Sequence, residues 1–260
     1  MPRFWQRLAL LPRQSQTSPL HFCADPVSSL TQRDLRELWE LRVEQLPLKP
    51  GVDPEEDFEK FSRTIANAHE VSRVYFGAVL VGMFVSWRRD GERDGQRFRW
   101  LAFEYGVTRP EWRGARALRL AYLRTVLTNL DLKPGTRHYI GGIGYPIGAM
   151  AVARFGGKTH YYGEDVPEVV AAVFEVMLEE LAPEGIDEHG GITFPTIPRP
   201  LSDAWLSRHG EHPCYLRYIA LNPTWAEGRG LPVLSELSFG QTTRAFARRL
   251  LPGRLARLMR

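Results

Sequence analysis

Residues 107–118, VTRPEWRGARAL, have the types and spacing that could hold an anion. They read as a strand end, a short turn marked by Pro110 and the opening of a helix. The first N–H groups of a helix lack intrahelical partners and carry the positive end of its macrodipole, so a pyrophosphate can sit there without dedicated cations. Arg113 and Arg116 would add two. The expected cradle is Val107, Arg113, Gly114, Ala115, Arg116 and Ala117. Glu104 lies on the strand leading into this turn, and strict alternation puts it on one face with Trp100, Ala102 and Gly106. A carboxylate among apolar neighbours has its charged form disfavoured, which raises its pKa toward values useful for proton transfer. The alternative for Glu104 is a salt bridge to a nearby arginine.

The elements that must position these residues are legible as periodicities. Residues 98–107 are aromatic and β-rich, and a helix from the turn to about residue 130 carries Leu120, Leu123 and Leu127 at helical spacing. A second unit follows, a strand over 137–143 and a helix over 147–155 stopped by Gly156 and Gly157. Upstream, 29–39 reads as a capped first helix, 54–66 as a second and 71–89 as a pair of strands. Downstream, 166–181 is an amphipathic helix, 184–200 a Gly- and Pro-rich loop suited to a lid or acceptor-site wall, and 215–221 a strand-like run.

The series strand, V-x-x-P-x-x-R-G, long helix, strand, short helix ending in Phe-Gly resembles the acyl-CoA-dependent N-acyltransferase superfamily with the GNAT fold, over residues 20–163. The family's loop usually places small residues after its arginine or glutamine, whereas here an arginine, Arg116, stands at one of those places. The resemblance implies an α/β (α+β) fold with a mixed, mostly antiparallel sheet flanked by helices. It divides the chain into a basic amphipathic segment (1–19), a core (20–163), an extension of helix, lid-like loop and strand (164–241) and a basic amphipathic helix (242–260). The implied activity is transfer of an acyl group from a thioester, acyl-CoA or acyl carrier protein, to an amine-bearing small molecule or amino acid. The extension suggests the branch that makes N-acyl amino acids or acyl-homoserine lactones. Two other readings are a catalytically silent module that binds a membrane surface or acidic protein, and a small-molecule acetyltransferase with an acidic acceptor pocket.

Acyl transfer to an amine needs a base for the ammonium and an acid for the leaving thiolate. Glu104 is the candidate base. The family's acid is often a tyrosine shortly before the helix-ending Phe-Gly, where this chain has Val152 or Ala153, so Tyr145 is the nearest substitute, with packing as its alternative role. His138 competes. Residues 158–162, KTHYY, look like the strand that closes the family's splayed sheet. No metal site is expected: His209, His212 and Cys214 offer zinc-type ligands, yet no second cluster stands at a familiar spacing.

Composition narrows the partners. No apolar run approaches the roughly 20 residues needed to span a bilayer, no secretion signal is evident, and only Cys23 and Cys214 occur, which suits a reducing cytoplasm. The net charge of +4 conceals an asymmetry: residues 1–16 hold three arginines and 242–260 hold six, neither with an acid, leaving 25 basic against 30 acidic residues between them. A nucleic-acid footprint is therefore not expected. Both tails are amphipathic, which suits peripheral association with an anionic membrane, binding to an acyl carrier protein, or packing on the parent domain.

Overall fold

The structure, a computed structural model, describes residues 20–113, 116–130, 135–153, 157–187 and 190–237. The two basic tails, Gly114 and Ala115 lie outside the described residues, as do the side chains of Arg116 and Arg119.

Strand β1 (Leu20–Pro26) is followed by helices α1 (Gln32–Gln45) and α2 (Pro54–Ala66), then β2 (Glu70–Phe76), β3 (Val79–Arg93) and β4 (Gln96–Thr108). Local chemistry sets these boundaries. Thr31 and Asp34 form a capping box at the start of α1, while Asp53 caps α2 and Pro54 fills its first position, where no N–H is needed. Asp94 and Gly95 both take positive φ, as a two-residue turn between twisted strands requires, and they join β3 to β4.

Helix α3 (Arg116–Asn129), β5 (Arg137–Gly144) and α4 (Pro146–Ala153) complete the two strand–helix units. Beyond them come β6 (Thr159–Tyr161), α5 (Glu168–Leu181), a short β7 (Ile192–Thr193), α6 (Asp203–His209), α7 (Pro213–Leu221) and β8 (Arg229–Glu236). The sheet order is β1-β2-β3-β4-β5-β8-β6, with β7 on β8. All its pairings are antiparallel except β4 with β5. This is the mixed, mostly antiparallel sheet flanked by helices that the GNAT resemblance implies.

One expectation is corrected. Residues 215–221 are helical, not a strand: Pro213 opens the helix, His212 Nδ1 accepts the Cys214 N–H at 3.2 Å, and Tyr215 and Tyr218 fall three apart on its buried face. The 158–162 segment supplies β6, the last strand of the sheet, and β8 stands between it and β5, pairing with β5 from Tyr139↔Glu236 to Gly144↔Leu231.

The core has two layers. On one face α1, α2 and α5 pack Leu38, Leu41, Phe61, Ile65, Val170, Val173 and Met177 onto Val85, Trp87, Trp100 and Ala102. On the other, α3 packs Ala117 and Ala121 onto Phe22, Val74, Val81 and Phe84. Along the regular stretches of β2 and β3 side chains therefore alternate between these two interiors.

Candidate active site

Strands β4 and β5 are paired over only four positions, Phe98↔Arg137 to Leu101↔Ile140. Past them β4 stays with β3 and β5 with β8, and a cavity of about 730 Å³ opens between the two. Its lining comes from both faces of the sheet: Arg113, Leu118 and Tyr122 from the α3 side, Arg42, Gln45 and Leu46 from α1 on the other. The gap is thus a passage through the sheet.

A bulge shapes the β4 edge of this passage. Val85 pairs with Glu104 and Met83 with Val107, so two residues of β4, Tyr105 and Gly106, stand opposite Phe84 alone. Tyr105 takes φ +51, unusual for a residue with a side chain. The bulge overturns the strict alternation expected for this strand. Gly106 does not share a face with Glu104: a β-carbon on Gly106 would point at the Tyr122 hydroxyl, 2.8 Å away, on the α3 side. Tyr105 instead turns into the other layer, with its ring 5.1 Å from that of Phe61.

Glu104 spans the gap. Its Oε1 accepts the Ile143 N–H at 2.7 Å, taking up a β5 donor. Gly142 makes room, since a β-carbon there would overlap the carboxylate. Burial pushes the carboxyl pKa up to about 8, and the Ile143 bond opposes this only in part. The group makes no ion pair with a described residue, and it remains accessible from the cavity.

Tyr145 stands just before α4, where its carbonyl accepts the Ala149 N–H. Its hydroxyl donates to the Thr196 carbonyl at 3.3 Å, and its ring packs edge-on to Phe194 at 5.5 Å. Burial raises its pKa, with the Thr196 bond working against the rise. It therefore ties α4 to the loop before α6. That loop lines the cavity with Phe194, Thr196 and Leu201, α6 adds Trp205, and the loop is held to the end of α1 by Arg199 donating to the Gln45 and Glu44 carbonyls and by a Leu48–Thr196 bridge.

Of the expected cradle, Val107 and Arg113 line the cavity, whereas Ala117 packs into the α3 layer. Gly114, Ala115 and the Arg116 side chain lie outside the described residues. Val152, one of the two positions where the resemblance would put a tyrosine, also lines the cavity. His138 lies at the paired end of β5, opposite Arg99 and away from the gap.

Tyr122 escaped the sequence reading. Its ring stacks on Phe84 at 4.0 Å and 9° and lies edge-on to Phe103, so the hydroxyl is aimed into the cavity with little rotational freedom. Burial, then the nearby Glu104 carboxylate, push its pKa well above the usual phenol value, so it stays protonated.

Two buried networks support the site. Asp57 accepts two bonds from Arg42 and one from Trp39 Nε1, at 2.7–3.1 Å, beneath the cavity. On the far side Tyr218 donates to the Gly144 carbonyl at 2.6 Å. Asn222 donates in turn to Tyr218 and accepts from Arg229, which forks onto Asp187. The end of β5 is thereby fixed from behind. Among the described residues no group of three or more His, Cys, Asp or Glu could hold a metal ion, and no helix is long and apolar enough to cross a membrane.

No protein-family model matches the chain, and no curated protein matches it in sequence. Solved structures similar to it include a probable N-acyltransferase from Enterococcus faecalis, at 14% identity and a TM-score of 0.37, over 62% of this chain and 43% of that one. The chain thus spans less than half the length of that protein. ElaA from Escherichia coli is similar at 16% identity and a TM-score of 0.36, over 57% of this chain and 95% of its own. NAA60 from Arabidopsis thaliana, solved with acetyl-CoA, is similar at 11% and 0.36, over 55% and 92%. At such low identities and scores none of them is a guide to the role of any residue here.

Proposed function

We propose that this chain is an N-acyltransferase that moves an acyl group from a thioester, acyl-CoA or an acyl carrier protein, to an amine. The observation that carries the reading is the passage through the sheet with a carboxyl group in it. A donor anchored by its phosphates at the start of α3 reaches the gap from one face, and an amine reaches it from the other. Two reactants meeting in a fixed slot gain most of their advantage from orientation.

Each residue then has a task. Glu104 takes a proton from the ammonium, and the freed nitrogen attacks the thioester carbonyl carbon. The C–N bond forms as the carbonyl electrons move to oxygen. Their return breaks the C–S bond, and the thiolate leaves with a proton. A carboxyl pKa near 8 suits this role, because a base works best when its pKa lies near the working pH. Tyr122, protonated and aimed into the cavity, donates a hydrogen bond to the developing negative charge, on oxygen or sulfur. Tyr145 is the second proton-donor candidate, although its hydroxyl is engaged by Thr196. Val107, Arg113, Gly114, Ala115, Arg116 and Ala117 form the proposed phosphate end.

The apolar lining around Leu118, Ile140, Ile143 and Val152 accommodates a long acyl chain, in keeping with the branch that makes N-acyl amino acids or acyl-homoserine lactones. Valine at position 152 in place of a tyrosine is the observation that favours the second reading, a catalytically silent module. In either case the basic tails would serve as contacts to an acidic carrier or an anionic membrane surface. The test is thermal shift of the purified full chain with acyl-CoAs from acetyl to palmitoyl and with acyl carrier protein thioesters, followed by free-thiol release on adding amines. Binding with thiol release supports the enzyme. Binding without release supports the silent module, and no binding removes the enzyme reading.

A further inference from the structure

We infer that the acceptor is a monoamine with an apolar or aromatic body, and that polyamine-like and aminoglycoside-like acceptors are excluded by charge. The inference rests on the acyltransferase reading above. Among the described residues lining the cavity, Glu104 is the sole carboxylate, whereas three arginines, Arg42, Arg113 and Arg199, line it as well. Arg42 is neutralised by Asp57. Arg199 is exposed, is bound to the carbonyls of Glu44 and Gln45 and makes no ion pair among the described residues, so a solvent-screened positive charge stands at the rim on the acceptor side.

A site with one carboxylate can balance one ammonium. A second or third positive charge would be taken from water into a place with no further carboxylate to match it, and desolvation opposes that. An acidic acceptor pocket, the expectation for a resistance-type acetyltransferase, is not what these residues form. The apolar and aromatic residues that line the cavity on this side include Leu46, Tyr145, Phe194, Leu201 and Trp205. They are held rigid: Tyr145 and Phe194 pack edge-on at 5.5 Å, and Trp205 packs edge-on to Tyr215 at 5.3 Å. A preformed wall of rings and branched side chains rewards burial of an apolar body and offers few polar groups to a sugar or a polyol.

The test uses the full chain with acetyl-CoA and palmitoyl-CoA as donors, and 2-phenylethylamine, isopentylamine, spermidine and kanamycin as acceptors. Free thiol is followed, with donor binding measured separately by calorimetry. The two apolar monoamines should exceed spermidine and kanamycin in kcat/KM by about 100-fold or more. Phe194→Ala and Trp205→Ala should each raise KM for 2-phenylethylamine about tenfold while the donor Kd is kept. Phe194→Leu is the milder variant should either alanine form fail to fold. Equal or preferred use of spermidine or kanamycin overturns the inference and leaves the acyltransferase reading standing. Donor binding without turnover of either apolar monoamine also overturns the inference. If no thioester binds at all, the acyltransferase reading fails and takes the inference with it.

Discussion

Glu104 and Ile143 are joined across the gap between β4 and β5 by a carboxylate-to-backbone hydrogen bond of 2.7 Å, where no strand-to-strand pairing remains. The contact depends on a residue that takes no part in it. Gly142 is bare where any side chain would displace the carboxylate, and its backbone is pinned by pairing with Val233 on β8. Gly142→Ala should therefore move Glu104 rather than the strand. The expected result is a folded protein, destabilised by about 1–3 kcal/mol, with turnover lowered on the order of 100-fold and donor affinity kept. Calorimetric donor binding beside thiol-release kinetics reads both, and unimpaired turnover would separate Glu104 from the chemistry.

The pKa of Glu104 gives two further expectations. As a base it acts deprotonated, so kcat/KM in the native protein should rise with pH and level off above about 8. Glu104→Gln should lose that rise along with most activity. Stability runs the opposite way. A carboxyl that titrates near 8 when folded and at the ordinary glutamate value of 4.5 when unfolded holds its proton more tightly in the folded state, so stability falls as pH climbs between those values. Because Glu104 is reached by solvent from the cavity, the size is discounted to on the order of 2 kcal/mol. Thermal melts at pH 5 and pH 9 should show Glu104→Gln gaining on the native protein at the higher pH only.

The two tyrosines should separate in kinetics. Tyr122→Phe removes the hydroxyl aimed into the cavity without disturbing the stack on Phe84, so kcat should drop by about 10–100-fold while melting and substrate binding hold. Tyr145→Phe breaks the bond to Thr196, a loss of about 0.5–1.5 kcal/mol, and loosens the wall carrying Phe194. Its effect should fall on the acceptor KM more than on kcat. A kcat loss confined to Tyr145→Phe would reverse the two roles.

The residues show why some of this was legible in the sequence and some was not. Helices α1, α2, α3 and α5 and strands β2 to β5 follow from apolar spacing, caps and turn residues, all of which are local. The sheet was misread where locality fails. β8 holds Gly230 and Pro232, poor strand formers, and is strand only because β5 on one side and β6 on the other pair with it. The run 215–221 has β-prone composition, yet its cap at His212 and the start at Pro213 commit it to a helix. Glu104 stands out in the sequence as a lone carboxylate in an apolar strand, and the structure places it in the cavity wall. Tyr122 was missed because in sequence it is one more aromatic residue on a helix. What makes it a cavity residue is the bulge at Tyr105 and Gly106 and the parting of β4 from β5, both properties of register between distant segments.

The support beneath the cavity can be tested apart from the chemistry. Arg42 and Asp57 form a bidentate pair with side chains 5% and 3% exposed, and Trp39 adds a third bond to the same carboxylate. Removing one partner leaves the other charged, buried and unmatched, which typically costs about 3–5 kcal/mol. Asp57→Ala should therefore lower the melting temperature steeply, by more than any single change at Glu104, Tyr122 or Tyr145. The Arg42 guanidinium also sits 5.4 Å from the Phe61 ring centre and 5.8 Å from that of Tyr105, so its displacement would disturb the bulge. Replacing both partners, Arg42→Met with Asp57→Leu, removes the unmatched charge and should recover most of the stability lost in Asp57→Ala. Melting curves of the two single variants and the double variant give the coupling directly. If the double variant melts no higher than Asp57→Ala, the loss arises from packing around Trp39 rather than from a stranded charge.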